Sequence, residues 1–237
     1  MSNTLTVEIW SDIACPWCYI GKRRFAAALE QFDRKDQVEV IWRSFELDPN
    51  AEHSHEHAGM TEAQLLSERK GMPEAQVRQM FAQVTEVAAG EGLHYDFDTV
   101  VPANTFDAHR LVHIAGDRGA ELVERLMSAH FEHGRVVDDT DELVAIAVEA
   151  GLDADTVRSA LDSGQGADAV RSDEAEAQAL GVNGVPFFVA DRRLGVSGAQ
   201  PVEVFTQFLT QALPAPAPAF VTVPGATDAE TCGPDGC

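Results

Sequence analysis

A β-branched run, Thr6-Val7-Glu8-Ile9-Trp10, gives way at Cys15-Pro16-Trp17-Cys18 to a helix-patterned segment. That junction constrains the fold more than any other feature of the chain. A second strand follows at Val38-Glu39-Val40-Ile41-Trp42-Arg43-Ser44-Phe45, read as buried, so strand, helix (Cys15 to about Phe32) and strand make a βαβ unit. The first turn of such a helix is chemically special. A helix N-terminus carries roughly +0.5 of an elementary charge, and a thiol that titrates near ~8.5 when free can fall to about 3.5–7.5 there. The thiolate attacks in disulfide exchange, and a cysteine one turn along the same helix can resolve the mixed disulfide. The order of the two makes Cys15 the expected exposed, acidic thiol and Cys18 the sheltered one. The spacing alone also suits half of a zinc site.

A second signal lies far along the chain, at Gly184-Val185-Pro186-Phe187-Phe188-Val189. It follows a helical pattern and opens an apolar run with strand character. On its own it also fits an edge strand that starts with proline, where no ladder donor is needed.

Three stretches in this order carry a family resemblance: 11–21 around the cysteines, Asn104-Thr105-Phe106-Asp107-Ala108-His109-Arg110-Leu111, and Gly184 to Phe188. They resemble the DsbA-type thioredoxin-fold family, most closely its FrnE-like cytoplasmic branch, over most of residues 1–213. The resemblance implies an α/β thioredoxin fold with an inserted all-helical domain and a C-terminal tail. It implies Cys15 as nucleophile, Cys18 as resolving thiol, and Pro186 in the cis form facing the CxxC pair. The backbone of Val185 would then pair with an extended substrate peptide by β-addition. Pro16 and Trp17, the intervening dipeptide, complete the expected substrate-binding set, with Trp17 offering an apolar face. The implied partners are disulfide-containing proteins or peptides, with glutathione or a thioredoxin-type reductant for recycling. Exchange of this kind requires neither metal nor organic cofactor.

Two rivals stand beside this reading. The 2-hydroxychromene-2-carboxylate isomerases and kappa-class glutathione transferases resemble the chain in fold and around Asn104, but carry serine where Cys15 stands. A metal- or client-binding module without turnover is the third.

Helical patterns begin near Thr61, Pro73, Thr105, Glu121, Thr140 and Ala154, and a longer one runs from about Ala167 to Leu180. A short strand at Leu194–Ser197 and a closing helix from Pro201 to Ala212 follow. Strands at both ends with helices between divide the chain into 1–48, an inserted helical domain 49–166, and a returning part 167–213. Residues 214–237 read as a Pro/Ala linker and tail. Its terminal Cys232-Gly233-Pro234-Asp235-Gly236-Cys237 suits a type I turn that brings two thiols together. Cys232 and Cys237 are therefore an auxiliary redox pair or incidental thiols of a plain tail.

The 237 residues carry 17 basic and 39 acidic side chains, a net charge of −22. That balance excludes nucleic-acid binding through a basic footprint. Met1-Ser2-Asn3-Thr4 shows no basic stretch before an apolar one, and no run approaches membrane-spanning length. The expectation is a cytoplasmic protein without a membrane partner. The alternating histidines of His53-Ser54-His55-Glu56-His57 suit weak adventitious metal binding. The pairs His109/His113 and His130/His133 lack the adjacent glutamate of HExxH, so packing is expected of them.

Overall fold

The computed structural model describes residues 4–57 and 59–213. The Pro/Ala segment and the Cys232–Cys237 pair lie outside the described residues. Strand β1 (Leu5–Ser11) runs parallel to β2 (Val38–Ser44), with Leu5 opposite Val38 and Ser11 opposite Ser44. On its other side β1 pairs antiparallel with β3 (Phe187–Ala190), and β3 pairs antiparallel with β4 (Leu194–Ser197). The sheet order is β2-β1-β3-β4. β1 is thus central, which is why residues 5–11 are almost continuously buried. β2 is an edge strand and only half-buried. This corrects the expectation of a buried second strand, because an apolar run does not reveal whether a neighbour covers its outer edge.

Helix α1 (Pro16–Glu30) joins β1 to β2. Among the described residues, six α-helices separate β2 from the returning part: α2 (Glu62–Lys70), α3 (Glu74–Gly90), α4 (Phe106–Ile114), α5 (Gly119–His133), α6 (Thr140–Glu149) and α7 (Ala154–Asp162). Then α8 (Ala167–Ala179) leads back to the sheet, and α9 (Val202–Ala212) closes it. Local chemistry sets several starts. Thr61 and Gln64 form a reciprocal capping box at α2, and Asp139 and Asp153 accept first-turn N–H groups of α6 and α7.

Alternation along β1 sorts its side chains to two faces. Leu5, Val7 and Ile9 pack with Phe25 of α1, Phe188 of β3 and Phe205 of α9. The Phe188 and Phe205 rings meet edge-on at 4.5 Å. On the other face Trp10 packs with Ala177 of α8, and its Nε1–H donates to the Asp173 carbonyl at 2.9 Å. The Asp173 carboxylate accepts from the Ser44 N–H and from Arg43, both at 2.9 Å. It thereby pins α8 to the β2 edge. A third core holds Cys18, Tyr19 and Ile20 together with Leu111, Leu126 and Phe131. The start of α1 is therefore buried between the sheet and the helical block. That is where the two cysteines sit.

Candidate active site

The turn after β1 is built on Asp12. Its Oδ1 accepts the Ala14 N–H at 3.3 Å, and its carbonyl accepts the Cys15 N–H at 3.2 Å. Its Oδ2 accepts the Leu47 N–H at 2.8 Å, which ties the loop after β2 to the same turn. Nε2 of His109 on α4 lies 3.4 Å from Asp12 Oδ1. Burial alone would raise the Asp12 pKa, but the His109 imidazole beside it, the Leu47 N–H and Thr105 outweigh it and hold the carboxyl below its usual value.

Cys15 is the N-cap of α1 and Pro16 occupies the first helical position, where its missing N–H costs nothing. The Cys18 N–H donates to the Cys15 carbonyl at 3.0 Å. Both thiols are free and buried, Cys15 at 5% exposure and Cys18 at 1%. Cys15 is therefore less open than its position at a helix start suggests. Its Sγ–H points across to the Val185 carbonyl at 3.7 Å, so the returning part of the chain covers it. Burial, then the Cys15 thiol beside it, push the Cys18 pKa well above the ordinary thiol value.

The Val185–Pro186 peptide is cis, as the resemblance implied. Pro186 is buried and packs on α1 at Gly21. Among the described residues, the Val185 N–H makes no hydrogen bond. Trp17 is 43% exposed beside the thiols. The structure thus brings Cys15, Cys18, Pro16, Trp17, Val185 and Pro186 to one place.

Other residues around the thiols carry no sequence signal. Tyr95, from the segment after α3, donates its hydroxyl to the Pro16 carbonyl at 2.7 Å and stacks on Tyr19 with ring centres 6.1 Å apart. Burial first, and then the neighbouring Cys15 charge, raise its pKa. His130 of α5 is 2% exposed, and its Nδ1 has no hydrogen-bond partner among the described residues. Asp12 and Asn104 are different, because both stand inside the stretches that carry the resemblance. Asn104 Oδ1 accepts the Phe106 N–H at 2.9 Å and its Nδ2 donates to the Ala51 carbonyl at 2.8 Å. It starts α4, and α4 delivers His109 to Asp12.

The histidine pairs separate. His109 faces Asp12, whereas His113 lies 3.0 Å from Asp173. His53 lies 3.6 Å from Asp138, and His57 lies 3.3 Å from Glu52. No group of three or more His, Cys, Asp or Glu among the described residues is arranged to hold a metal ion. No helix among them is long and apolar enough to cross a membrane.

Similarity to known proteins follows the same architecture. A probable DsbA oxidoreductase from Streptomyces coelicolor is 48% identical, with 98% of each chain covered and a TM-score of 0.83. A 2-hydroxychromene-2-carboxylate isomerase shares the fold at 15% identity, covering 87% of this chain and 95% of that one, with a TM-score of 0.63. The cytosolic disulfide reductase DsbM from Pseudomonas aeruginosa, with GSH, shares it at 19% identity, covering 87% and 98%, with a TM-score of 0.58. The model of the DSBA-like thioredoxin domain matches residues 6–210, both parts of the sheet and every helix between them. The chain belongs to the DSBA-like thioredoxin domain family, a family of thiol oxidoreductases.

Proposed function

We propose that the protein is a thiol–disulfide oxidoreductase acting on protein or peptide disulfides, with isomerisation within reach of the same chemistry. The observation that carries this reading is the position of Cys15, capping α1 opposite the Val185 carbonyl and Pro186. In the reducing direction, the Cys15 thiolate attacks one sulfur of a client disulfide. A Cys15–client disulfide forms, and the other client sulfur leaves as a thiolate that takes up a proton. The Cys18 sulfur, once deprotonated, attacks Cys15 and releases the second client thiol. Two electrons pass to the client, leaving a Cys15–Cys18 disulfide; an external thiol or dithiol returns them.

In this reading the unpaired Val185 N–H and its carbonyl receive an extended client backbone, while Pro186, Pro16 and Trp17 shape the floor beside it. Residues 49–166 act as an inserted helical domain that covers the thiols. DsbM is a cytosolic disulfide reductase, and a cytosolic setting for this chain, held near about −220 to −320 mV, favours client reduction. Glutathione or a thioredoxin-type dithiol then serves as reductant. Cys232 and Cys237 relay electrons to Cys15–Cys18; removal of residues 214–237 would slow multiple turnovers while leaving a single turnover intact. Unchanged turnover after that truncation contradicts the relay.

The test of the activity is a redox titration of Cys15–Cys18 against glutathione buffers. A single two-electron transition, lost in Cys15→Ser and in Cys18→Ser, supports the reading. Thiols that stay reduced across the whole range would overturn it.

A further inference from the structure

Ser11 closes β1 on the strand face that also carries Leu5, Val7 and Ile9, the face packed against α1. It is 3% exposed, and its Oγ has no hydrogen-bond partner among the described residues. A buried hydroxyl of this kind is costly, because folding strips its water and returns nothing. The backbone that carries it is fixed. Ser11 stands opposite Ser44 in the sheet, and its carbonyl accepts the Phe45 N–H at 3.2 Å.

The hydroxyl faces the Cys18 sulfur, in the first turn of α1 and 1% exposed. The Asp12 N–H, which enters no backbone hydrogen bond of the turn, faces the same sulfur. Burial first, and then Cys15, disfavour a charge on Cys18, and these two donors oppose them. The titratable groups around that sulfur are Cys15 on its own helix and Tyr95 from the segment after α3. Neither favours a thiolate there, and the Tyr95 hydroxyl is committed to the Pro16 carbonyl. The Asp12 carboxylate is turned to the Ala14 and Leu47 N–H groups and to His109.

We propose that Ser11 is a catalytic residue of the resolving step: its hydroxyl, with the Asp12 N–H, donates to the Cys18 sulfur as that sulfur becomes the attacking thiolate. This rests on the exchange reading above and adds a residue to it. As Cys18 attacks, the Cys15–client bond breaks and the Cys15–Cys18 bond forms. The electron pair leaves on the client sulfur, which ends as a thiol and so balances the proton given up by Cys18. Ser11 keeps its own proton throughout. While Cys18 is a neutral thiol the hydroxyl stands without an acceptor, and a donor fixed in advance where charge develops needs no reorganisation.

The test uses the full chain, reduced with a low-molecular-weight dithiol that is then removed, and mixed with an excess of a cystine peptide. Samples are acid-quenched and alkylated, and intact mass separates the Cys15–client disulfide from the Cys15–Cys18 disulfide. In Ser11→Ala the mixed disulfide is expected to form at a rate close to that of the parent chain and to resolve about tenfold more slowly. The pH dependence of resolution is displaced to higher pH, because one donor that favours the thiolate is gone. The urea midpoint of Ser11→Ala is no lower than that of the parent, since the deleted hydroxyl had no partner. Resolution as fast as in the parent overturns the role of Ser11 and leaves the exchange reading standing. So does slower resolution with an undisplaced pH dependence and a lowered urea midpoint, which marks a structural residue. A parent chain that forms neither disulfide overturns both.

Discussion

Gly21 and Pro186 approach so closely that a methyl group on the Gly21 Cα would lie 2.9 Å from Pro186 Cγ. A glycine here lets α1 lie against the turn whose carbonyl faces the Cys15 thiol. Gly21→Ala gains about 1 kcal/mol of helix propensity but overpacks the contact at about 1–3 kcal/mol. The expected net effect is a loss of up to about 2 kcal/mol in urea unfolding, with a larger effect on the rate at which disulfides oxidise the dithiol. Unchanged stability and unchanged rate would mean that the proline ring yields without moving the turn.

The thiols should be chemically unequal. Cys18 is the more deeply buried, and its pKa is driven up by that burial and by the adjacent Cys15. Alkylation of the reduced protein at neutral pH is expected to label Cys15 first and Cys18 slowly, with mass mapping to assign the sites. Equal labelling, or Cys18 first, would reverse the assignment of roles.

Asp12 anchors the turn that presents Cys15, so its carboxylate contributes to stability only while ionised. Its folded pKa is lowered, so the contribution is complete above the unfolded value of about 3.9 and falls away as pH drops through the lower folded value. Asp12→Asn keeps the shape but loses the charge facing His109. It should cost about 2 kcal/mol at neutral pH and flatten the acid limb of the unfolding curve. An unaltered acid limb would show that the carboxyl titrates alike in the folded and unfolded chains.

His130 titrates in a different window. Burial lowers its pKa to about 4 from 6.5, so between those values the unfolded chain binds the extra proton. Stability therefore falls as pH drops from 6.5 toward 4, by about 3 kcal/mol from this residue. His130→Gln should remove that part of the slope, measured as urea midpoints across the interval. A slope identical to that of the parent chain would remove His130 from the account.

Much of this arrangement is legible in the residues themselves. The β1–Cys15 junction, the Val185–Pro186 strand start and the helix beginnings at Thr61 and Pro73 all depend on short-range rules, such as capping and proline's missing donor. Tyr95 and His130 could not be read the same way. Each reaches the site through packing of α3 and α5 against α1; Tyr95 stands in no local pattern that marks it, and the His130/His133 spacing reads only as packing. Asp12 lies between the two cases. Its place in the turn is visible three residues before Cys15, but its partners Leu47, Thr105 and His109 meet it only in the folded chain. The exposure of Cys15 expected from a helix start fails for a similar reason. The Val185 carbonyl that covers it comes from 170 residues away.

The most direct test of the central claim is trapping of the mixed disulfide. Reduced Cys18→Ser, mixed with a cystine peptide, should accumulate a covalent adduct on Cys15, seen as a mass increase that a dithiol reverses. Cys15→Ser under the same conditions should accumulate none on Cys18. An adduct on Cys18 in Cys15→Ser, with none on Cys15 in Cys18→Ser, would contradict the account.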